Sequence, residues 1–226
     1  MRLTAADGHE FDAYLADTSA KAMSALVVIQ EIFGVNSHIR SVADGYANNG
    51  FWAIAPALFD RVVRHVELGY GPDDRKRGMN LATQVGLNTA LKDVQAALTY
   101  TAHKFGAEKV GVVGYCWGGT LAWLAATRLS PGATVGYYGG QIAKYAGEKP
   151  RCPVMLHFGK KDQHIPLSEI ETVRQHHPTL PIHLYDAGHG FNCDQRESYE
   201  APSAALAQER TLEFLRQNLN PAPGGR

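Results

Sequence analysis

Short apolar segments of strand length recur along the chain, and longer stretches with helical character separate them. Five of these segments are continuous apolar runs, a pattern typical of strands that are buried on both faces of a sheet. They cover residues 26–29, 53–55, 110–113, 154–158 and 182–185. A further segment, residues 10–15, alternates apolar and polar positions, which predicts a half-exposed edge strand with an antiparallel partner.

The stretches between the strands predict helices. They cover residues 37–49, 88–105, 117–128, 167–176 and 202–219. Strands that alternate with helices predict crossover units, and therefore an α/β fold with a mostly parallel central sheet and helices on both faces. No repeat or linker divides the sequence, so we expect one domain over residues 1–226, with a flexible tail at about 220–226.

The residues that follow the predicted strands carry side chains suited to catalysis. In open parallel sheets, ligands bind beyond the carboxyl ends of the strands. Glu31 follows the first buried strand. The last three strands are followed by a candidate nucleophile, an acid and a base, which are Cys116, Asp162 and His189.

The segment Gly114-Tyr115-Cys116-Trp117-Gly118 has the form G-x-nucleophile-x-G of a sharp turn from a strand into a helix. Glycine is required on both sides because the strained turn brings neighbouring backbone too close for a side chain. The following helix directs its positive N-terminal end at the cysteine, which favours the thiolate over the thiol. We therefore expect this thiol to be available for chemistry.

Three motifs together make the chain similar to the dienelactone hydrolase family, a cysteine-using branch of the α/β-hydrolase fold. They are QEIFG at residues 30–34, GYCWGG at residues 114–119 and AGHGF at residues 187–191. The resemblance extends over about residues 3–216. It implies a triad of Cys116, Asp162 and His189 that opens the cyclic enol ester of dienelactone to give maleylacetate.

The resemblance also implies residues that restrain the nucleophile and bind the substrate. Glu31 matches a family acid that contacts the thiol of the resting enzyme, and Arg77 matches an arginine that binds the substrate carboxylate. A second arginine is expected four residues after the histidine, where this chain has Cys193. Arg196, three residues further on, is then the next candidate for that role.

The chemistry of these residues can also be argued without the resemblance. His189, oriented by Asp162, can take the proton of the thiol and later deliver it to the leaving group, so that attack by the cysteine gives an acyl-thioester. The oxyanion formed in the attack requires preorganised donors. We expect these donors to be the backbone N–H groups of Ile32 and Trp117.

A cysteine nucleophile restricts the bond that can be cleaved. Thiols are stronger acids than alcohols, so a thiolate leaves a tetrahedral intermediate more readily than a simple alkoxide does. An enolate or a phenolate competes well with the thiolate. We therefore expect a small lactone or ester substrate, namely an enol lactone, an aryl ester or a thioester, and not a peptide or a triglyceride. A carboxylate at Glu31 would oppose thiolate formation until the substrate displaces it.

Composition and charge exclude several classes of partner. The chain has 22 basic and 22 acidic residues, so no long-range field attracts nucleic acid or an anionic membrane surface. Its first ten residues lack a signal-peptide pattern, and no run approaches the roughly 18 apolar residues of a membrane span. We expect a cytoplasmic protein that is a monomer or a small homo-oligomer.

Cysteine and histidine spacing predicts neither a metal site nor a cofactor. The three cysteines share no C-x-x-C spacing, and the ten histidines show neither H-x-x-x-H nor H-E-x-x-H on a predicted helix. We expect reduced thiols, with Cys152 and Cys193 as packing residues.

Other functions stay open beside the lactone hydrolase. The same site suits a broader aryl-ester or thioester hydrolase, or a thiol redox sensor, although a sensor gives no reason for a matched Asp162 and His189. A non-catalytic binding domain on the same scaffold would require a lesion in the triad, and the sequence has none. Arg77 lies in the charged stretch 73–77, which is otherwise typical of a solvated surface.

Overall fold

The computed structural model describes residues 1–17 and 22–220. Its eight strands form one sheet. They are β1 (Arg2–Thr4), β2 (Glu10–Ala16), β3 (Ala25–Ile29), β4 (Trp52–Pro56), β5 (Val110–Tyr115), β6 (Ala133–Tyr137), β7 (Val154–Gly159) and β8 (Ile182–Tyr185).

Six α-helices and three short 3₁₀ helices connect these strands in the described part of the chain. The α-helices are α1 (Ser37–Asn48), α2 (Pro72–Val85), α3 (Leu87–Phe105), α4 (Trp117–Arg128), α5 (Leu167–His176) and α6 (Ala201–Leu219). Among the described residues, no helix is both long enough and apolar enough to cross a bilayer. The tail predicted at 220–226 lies outside the described residues, apart from Asn220.

The strands follow the order β1-β2-β4-β3-β5-β6-β7-β8 across the sheet. β2 pairs antiparallel with β1 and β4, and all the other neighbouring strands are parallel. A mostly parallel sheet whose strands alternate with helices confirms the predicted α/β class. β2 is antiparallel as predicted, but it is not the edge strand, because β1 covers its outer side.

The register of the central strands brings two of the polar strand ends together. Ile29 at the end of β3 pairs with Gly114 near the end of β5. Because the two strands are parallel, the segments that follow them leave the sheet side by side. Glu31 and Cys116 therefore lie at the same end of the sheet.

Helix α4 fixes the position of the segment that precedes it. Every residue of α4 from Trp117 to Thr127 is buried. Trp123 is fully buried and donates its indole N–H to the carbonyl oxygen of Tyr145 at 3.1 Å. A helix enclosed on all sides cannot shift without opening the core. Cys116, directly before α4, is thus held by a rigid element.

Eleven predicted elements are present with ends within two residues of the prediction, and three further strands and α-helices, β1, β6 and α2, are not predicted by the apolar pattern. β1 is only three residues long, and Thr134 and Gly136 interrupt the apolar run of β6. Helix α2 begins in the charged stretch that is typical of a solvated surface. Pro72 and the acidic Asp73 and Asp74 are favourable in a first helical turn, so these residues could have indicated that a helix begins here.

Candidate active site

Cys116 occupies the turn between β5 and α4 with an unusual backbone conformation. Its φ of 55° and ψ of −117° lie outside the regions that non-glycine residues normally adopt. The Cys116 N–H donates to the carbonyl oxygen of Tyr137 at 3.0 Å, which anchors the turn to β6. The cysteine lines an open cavity at the end of the sheet.

Close backbone contacts explain the two glycines of this turn. A Cβ atom at Gly114 would collide with the carbonyl oxygen of Gly118. A Cβ atom at Gly118 would in turn collide with the carbonyl oxygens of Ile29 and Gln30 at the end of β3. Side chains at either position would push α4 away from the sheet, so the turn depends on both glycines.

The structure brings the three residues predicted for a triad into one hydrogen-bonded row. Nε2 of His189 lies 3.1 Å from Sγ of Cys116, and Nδ1 of His189 lies 2.7 Å from Oδ2 of Asp162. The other carboxylate oxygen of Asp162 accepts the backbone N–H of His164 at 2.8 Å. Because both oxygens of the carboxylate are engaged, the imidazole is held with Nε2 toward the sulfur.

The surroundings of His189 favour its protonated form. Burial lowers the pKa of His189, but the negative charge on Cys116 and the hydrogen bond to Asp162 together outweigh burial, so the pKa of His189 rises above its ordinary value. Nε2 of His189 is thus placed to exchange a proton with the sulfur of Cys116.

Glu31 is fully buried beside the row, and its partner is Arg196. Nη1 of Arg196 donates to Oε1 of Glu31 at 3.1 Å. The resemblance implies that Glu31 contacts the thiol, whereas in the described structure the hydrogen bonds pair Glu31 with Arg196 and Cys116 with His189. The guanidinium compensates the carboxylate charge, which weakens its effect on the thiol.

Arg196 brings a guanidinium to the cavity, whereas the resemblance predicts an arginine four residues after the histidine. Cys193, which occupies that position, is fully buried. Arg196 lies on the next turn of the chain, because its N–H donates to the carbonyl oxygen of Cys193 at 3.1 Å. The turn brings the side chain of Arg196 back to the cavity, which it lines.

A cavity of about 670 Å³ opens beside the thiol. Cys116 and His189 line it together with Ile32 and Trp117, the two residues predicted to donate backbone N–H groups to an oxyanion. Trp117 is the first residue of α4, so its N–H belongs to the turn that has no acceptor within the helix. The cavity therefore combines a thiol, an imidazole and a helix N-terminus.

Of the arginines at the start of α2, the structure places Arg75, and not the predicted Arg77, beside the cavity. Both side chains are exposed on α2, but only Arg75 is among the residues that line the cavity. Helix α2 packs through Gly78 so closely that a Cβ there would collide with the carbonyl oxygen of Ile32. Arg75, three residues before Gly78, shares its face of the helix, and Arg77 does not.

The sequence reasoning also missed His164, which lines the cavity. Its ring centre lies 5.4 Å from that of His189, and the two planes are nearly perpendicular at 86°. In the sequence, its position two residues after the predicted acid Asp162 could have indicated that His164 lies near the site. The backbone hydrogen bond to Asp162 carries His164 to the cavity wall.

A mostly parallel sheet covered by helices, with a cysteine at the sharp turn from a strand into a buried helix, defines the fold as that of the α/β-hydrolases. A sequence profile described as "Dienelactone hydrolase family" matches residues 11–219 of the chain. The chain therefore belongs to the dienelactone hydrolase family, and it is an ester hydrolase.

Similar proteins support this membership. A carboxymethylenebutenolidase of Pseudomonas putida is 33% identical over 219 residues, which cover 92% of each chain. Carboxymethylenebutenolidase 1 of Cupriavidus pinatubonensis is 30% identical over 230 residues, which cover 98% of each chain. The crystal structure of a Klebsiella pneumoniae protein assigned as a dienelactone hydrolase is 31% identical, with a TM-score of 0.84 over 95% of this chain and 97% of that chain.

Proposed function

We propose that the protein opens dienelactone-type enol lactones by nucleophilic catalysis, with Cys116, His189 and Asp162 as the triad and an acyl-thioester as the intermediate. The row of hydrogen bonds from the thiol through both imidazole nitrogens to a buried carboxylate carries this proposal. The adjoining cavity of about 670 Å³ has the size of a small-molecule site.

In the first half of the reaction, the thiolate of Cys116 attacks the carbonyl carbon of the lactone. The carbonyl oxygen becomes an oxyanion, which the N–H groups of Ile32 and Trp117 stabilise. The ring C–O bond then breaks, and the departing enolate oxygen takes the proton from Nε2 of His189. The acyl group stays on the sulfur as a thioester.

In the second half, water releases the acyl group. The neutral His189 takes a proton from a water molecule, and the resulting hydroxide attacks the thioester carbonyl carbon. The C–S bond breaks and returns the thiolate of Cys116 beside a protonated imidazole. The product is an enol acid, which tautomerises to the keto acid.

Two arginines that line the cavity, Arg75 and Arg196, support a substrate that carries a carboxylate. A guanidinium binds a carboxylate through two parallel hydrogen bonds. Arg196 donates a hydrogen bond to Glu31, so a substrate carboxylate competes with Glu31 for this guanidinium. Substrate binding thereby changes the charge beside the thiol, which couples binding to activation of the nucleophile.

A panel of substrates with different leaving groups tests the proposal. A dienelactone and p-nitrophenyl acetate, which release an enolate and a phenolate, should both be hydrolysed, and ethyl acetate should not, because the thiolate leaves before ethoxide. The measurement is kcat/KM for each ester. Similar values for all three esters would rule out the thioester route, and turnover of the aryl ester without the lactone would support the broader aryl-ester hydrolase instead.

We also propose that the protein works in the cytoplasm, as a monomer or a small homo-oligomer. All three cysteines are free thiols, as is typical of reducing compartments.

A further inference from the structure

Beside the catalytic row, three buried side chains bring metal-binding atoms together. A carboxylate oxygen of Glu31, a ring nitrogen of His38 and Sγ of Cys193 all lie within 4.8 Å of one another. Their relative exposures are 0, 3 and 0%. The residues belong to the loop after β3, to α1 and to the segment between β8 and α6, so no spacing in the sequence indicates the cluster.

Two of these side chains present polar atoms that lack a hydrogen-bonding partner among the described residues. These atoms are Oε2 of Glu31 and Nε2 of His38. Buried polar groups are nearly always hydrogen-bonded, because losing water without a replacement is unfavourable. An ion bound within the cluster would supply the missing partner for both atoms.

The remaining polar atoms of these two side chains are already held. Nδ1 of His38 lies 3.2 Å from Oδ1 of Asp194, and an imidazole that donates from Nδ1 keeps a lone pair on Nε2. Metal-bound histidines typically donate their second N–H to a carboxylate in this way. Oε1 of Glu31 is held by Arg196, which leaves Oε2 for an ion.

We propose that Glu31, His38 and Cys193 bind a divalent cation of borderline softness, for which Zn²⁺ is the biological candidate. One thiolate, one imidazole and one carboxylate suit Zn²⁺ and its analogue Cd²⁺, whereas Ca²⁺ and Mg²⁺ require several oxygen ligands. With ligand distances of about 2.0–2.3 Å, the three atoms of a tetrahedral site lie about 3.5 Å apart. The cluster would thus contract by about an ångström, with water at the fourth position.

A second cavity reaches the His38 side of the cluster. His38, Asn192 and Asp194 line a separate cavity of about 220 Å³. The side chain of Asp194 is 61% exposed, so it offers an incoming cation a first carboxylate contact. Binding at this site does not depend on the reaction proposed for Cys116.

Cadmium titration tests the site, because a bond between Cd²⁺ and a thiolate gives an ultraviolet charge-transfer band. The full-length Cys116→Ala protein removes the catalytic thiol and should bind one Cd²⁺ per chain with this band. Adding Cys193→Ala should abolish the band. Adding Cys152→Ala instead removes a half-buried cysteine outside the cluster, so this matched control should keep the band.

A second variant keeps the test decisive if loss of Cys193 unfolds the protein, which circular dichroism would reveal. Asp194→Ala changes an exposed side chain, and it should weaken Cd²⁺ binding by about 10- to 100-fold, as loss of a carboxylate behind a metal-bound histidine typically does. The proposal is overturned if the Cys116→Ala protein shows no band, if the band survives without Cys193, or if Asp194→Ala leaves the affinity unchanged.

Discussion

At the scale of single residues, the proposed nucleophile Cys116 lies on a strained stretch of backbone. Conformations such as that of Cys116, with φ of 55° and ψ of −117°, cost about 1–3 kcal/mol. The turn keeps this conformation because Gly114 and Gly118 allow close contacts and the buried α4 prevents rearrangement. In this strained conformation, the sulfur lies 3.1 Å from Nε2 of His189. A proton can be transferred over this distance.

Arg75 is expected to bind the substrate carboxylate, and Arg77 is its matched control. Both lie on α2, but only Arg75 lines the cavity. Arg75→Ala removes a charge-assisted hydrogen bond worth about 1.5–3 kcal/mol, so kcat/KM for a carboxylated lactone should fall about 10- to 100-fold. Steady-state kinetics would measure this loss.

For the uncharged p-nitrophenyl acetate, Arg75→Ala should change kcat/KM little, and Arg77→Ala should change it little for either substrate. Equal losses from Arg75→Ala with both substrates would mean that Arg75 supports the structure of the site. A loss of lactone turnover from Arg77→Ala alone would return the carboxylate-binding role to Arg77.

The proximity of Cys116, Asp162 and His189 could be predicted from the sequence, because each of them follows a strand whose carboxyl end must reach the same side of the sheet. The direction in which the Arg75 side chain points could not be predicted, because it depends on which face of α2 packs against the rest of the protein. The proximity of His38 to Cys193 arises from tertiary packing alone, and spacing carries no signal for it.

At the scale of elements, α2 and the loop after β3 form one packed unit. Gly78→Ala would place a methyl group against the carbonyl oxygen of Ile32, and overpacking of this kind typically costs about 1–3 kcal/mol. Because Ile32 is a proposed oxyanion donor, the variant should lower both the melting temperature and kcat. Thermal unfolding and p-nitrophenyl acetate hydrolysis would measure the two effects.

Gly45→Ala is the control for this prediction. Gly45 lies within α1, and a Cβ atom there meets nothing within 4 Å. This substitution should leave kcat unchanged and stabilise the protein by up to about 1 kcal/mol, because alanine is the better helix former. A Gly78→Ala protein with wild-type melting and kcat would show that α2 does not constrain the loop.

Strands β7 and β8 and helix α6 meet around the buried His157. Its Nδ1 lies 2.8 Å from the hydroxyl of Tyr185, and its Nε2 lies 3.0 Å from Oγ1 of Thr211. Burial lowers the pKa of His157 well below its ordinary value, and the charges of His183 and Arg210 lower it further. His157 is thus neutral in the folded protein under conditions where the unfolded chain is protonated.

His157 should therefore destabilise the fold in acid. Its contribution to stability is fully present above the unfolded pKa of about 6.5, and it falls by up to about 1.4 kcal/mol per pH unit as the pH drops below that value. His157→Gln removes this proton uptake, so its unfolding free energy should vary less between about pH 6.5 and pH 4.5. Urea unfolding at several pH values would measure the slopes, and equal slopes would contradict the buried neutral state.

The ends of strands and helices could be predicted from the sequence wherever an apolar run was continuous. β6 was missed because Thr134 and Gly136 interrupt its run, although both are buried in the sheet. Helix α2 was missed because its first turns are charged, and only its later residues, such as Leu81 and Val85, face the core.

At the scale of the whole molecule, the sheet order assembles the site. β3, β5, β6, β7 and β8 are consecutive neighbours, so the segments after four of these strands deliver Glu31, Cys116, Asp162 and His189 to one end. The parallel direction of these strands follows from their alternation with helices. The order of the strands does not follow from this alternation, because it depends on long-range pairing that the apolar pattern does not specify.

The central claim is that Cys116 carries the acyl group during turnover. Rapid quenching of a reaction with p-nitrophenyl acetate, followed by peptide mass spectrometry, tests it most directly. We predict an acetyl group on the peptide that contains Cys116, and a Cys116→Ala protein that melts like the wild type but neither acquires the acetyl group nor hydrolyses the ester. An acetyl group on another residue, or a Cys116→Ala protein that keeps kcat within about tenfold of the wild type, would contradict the claim.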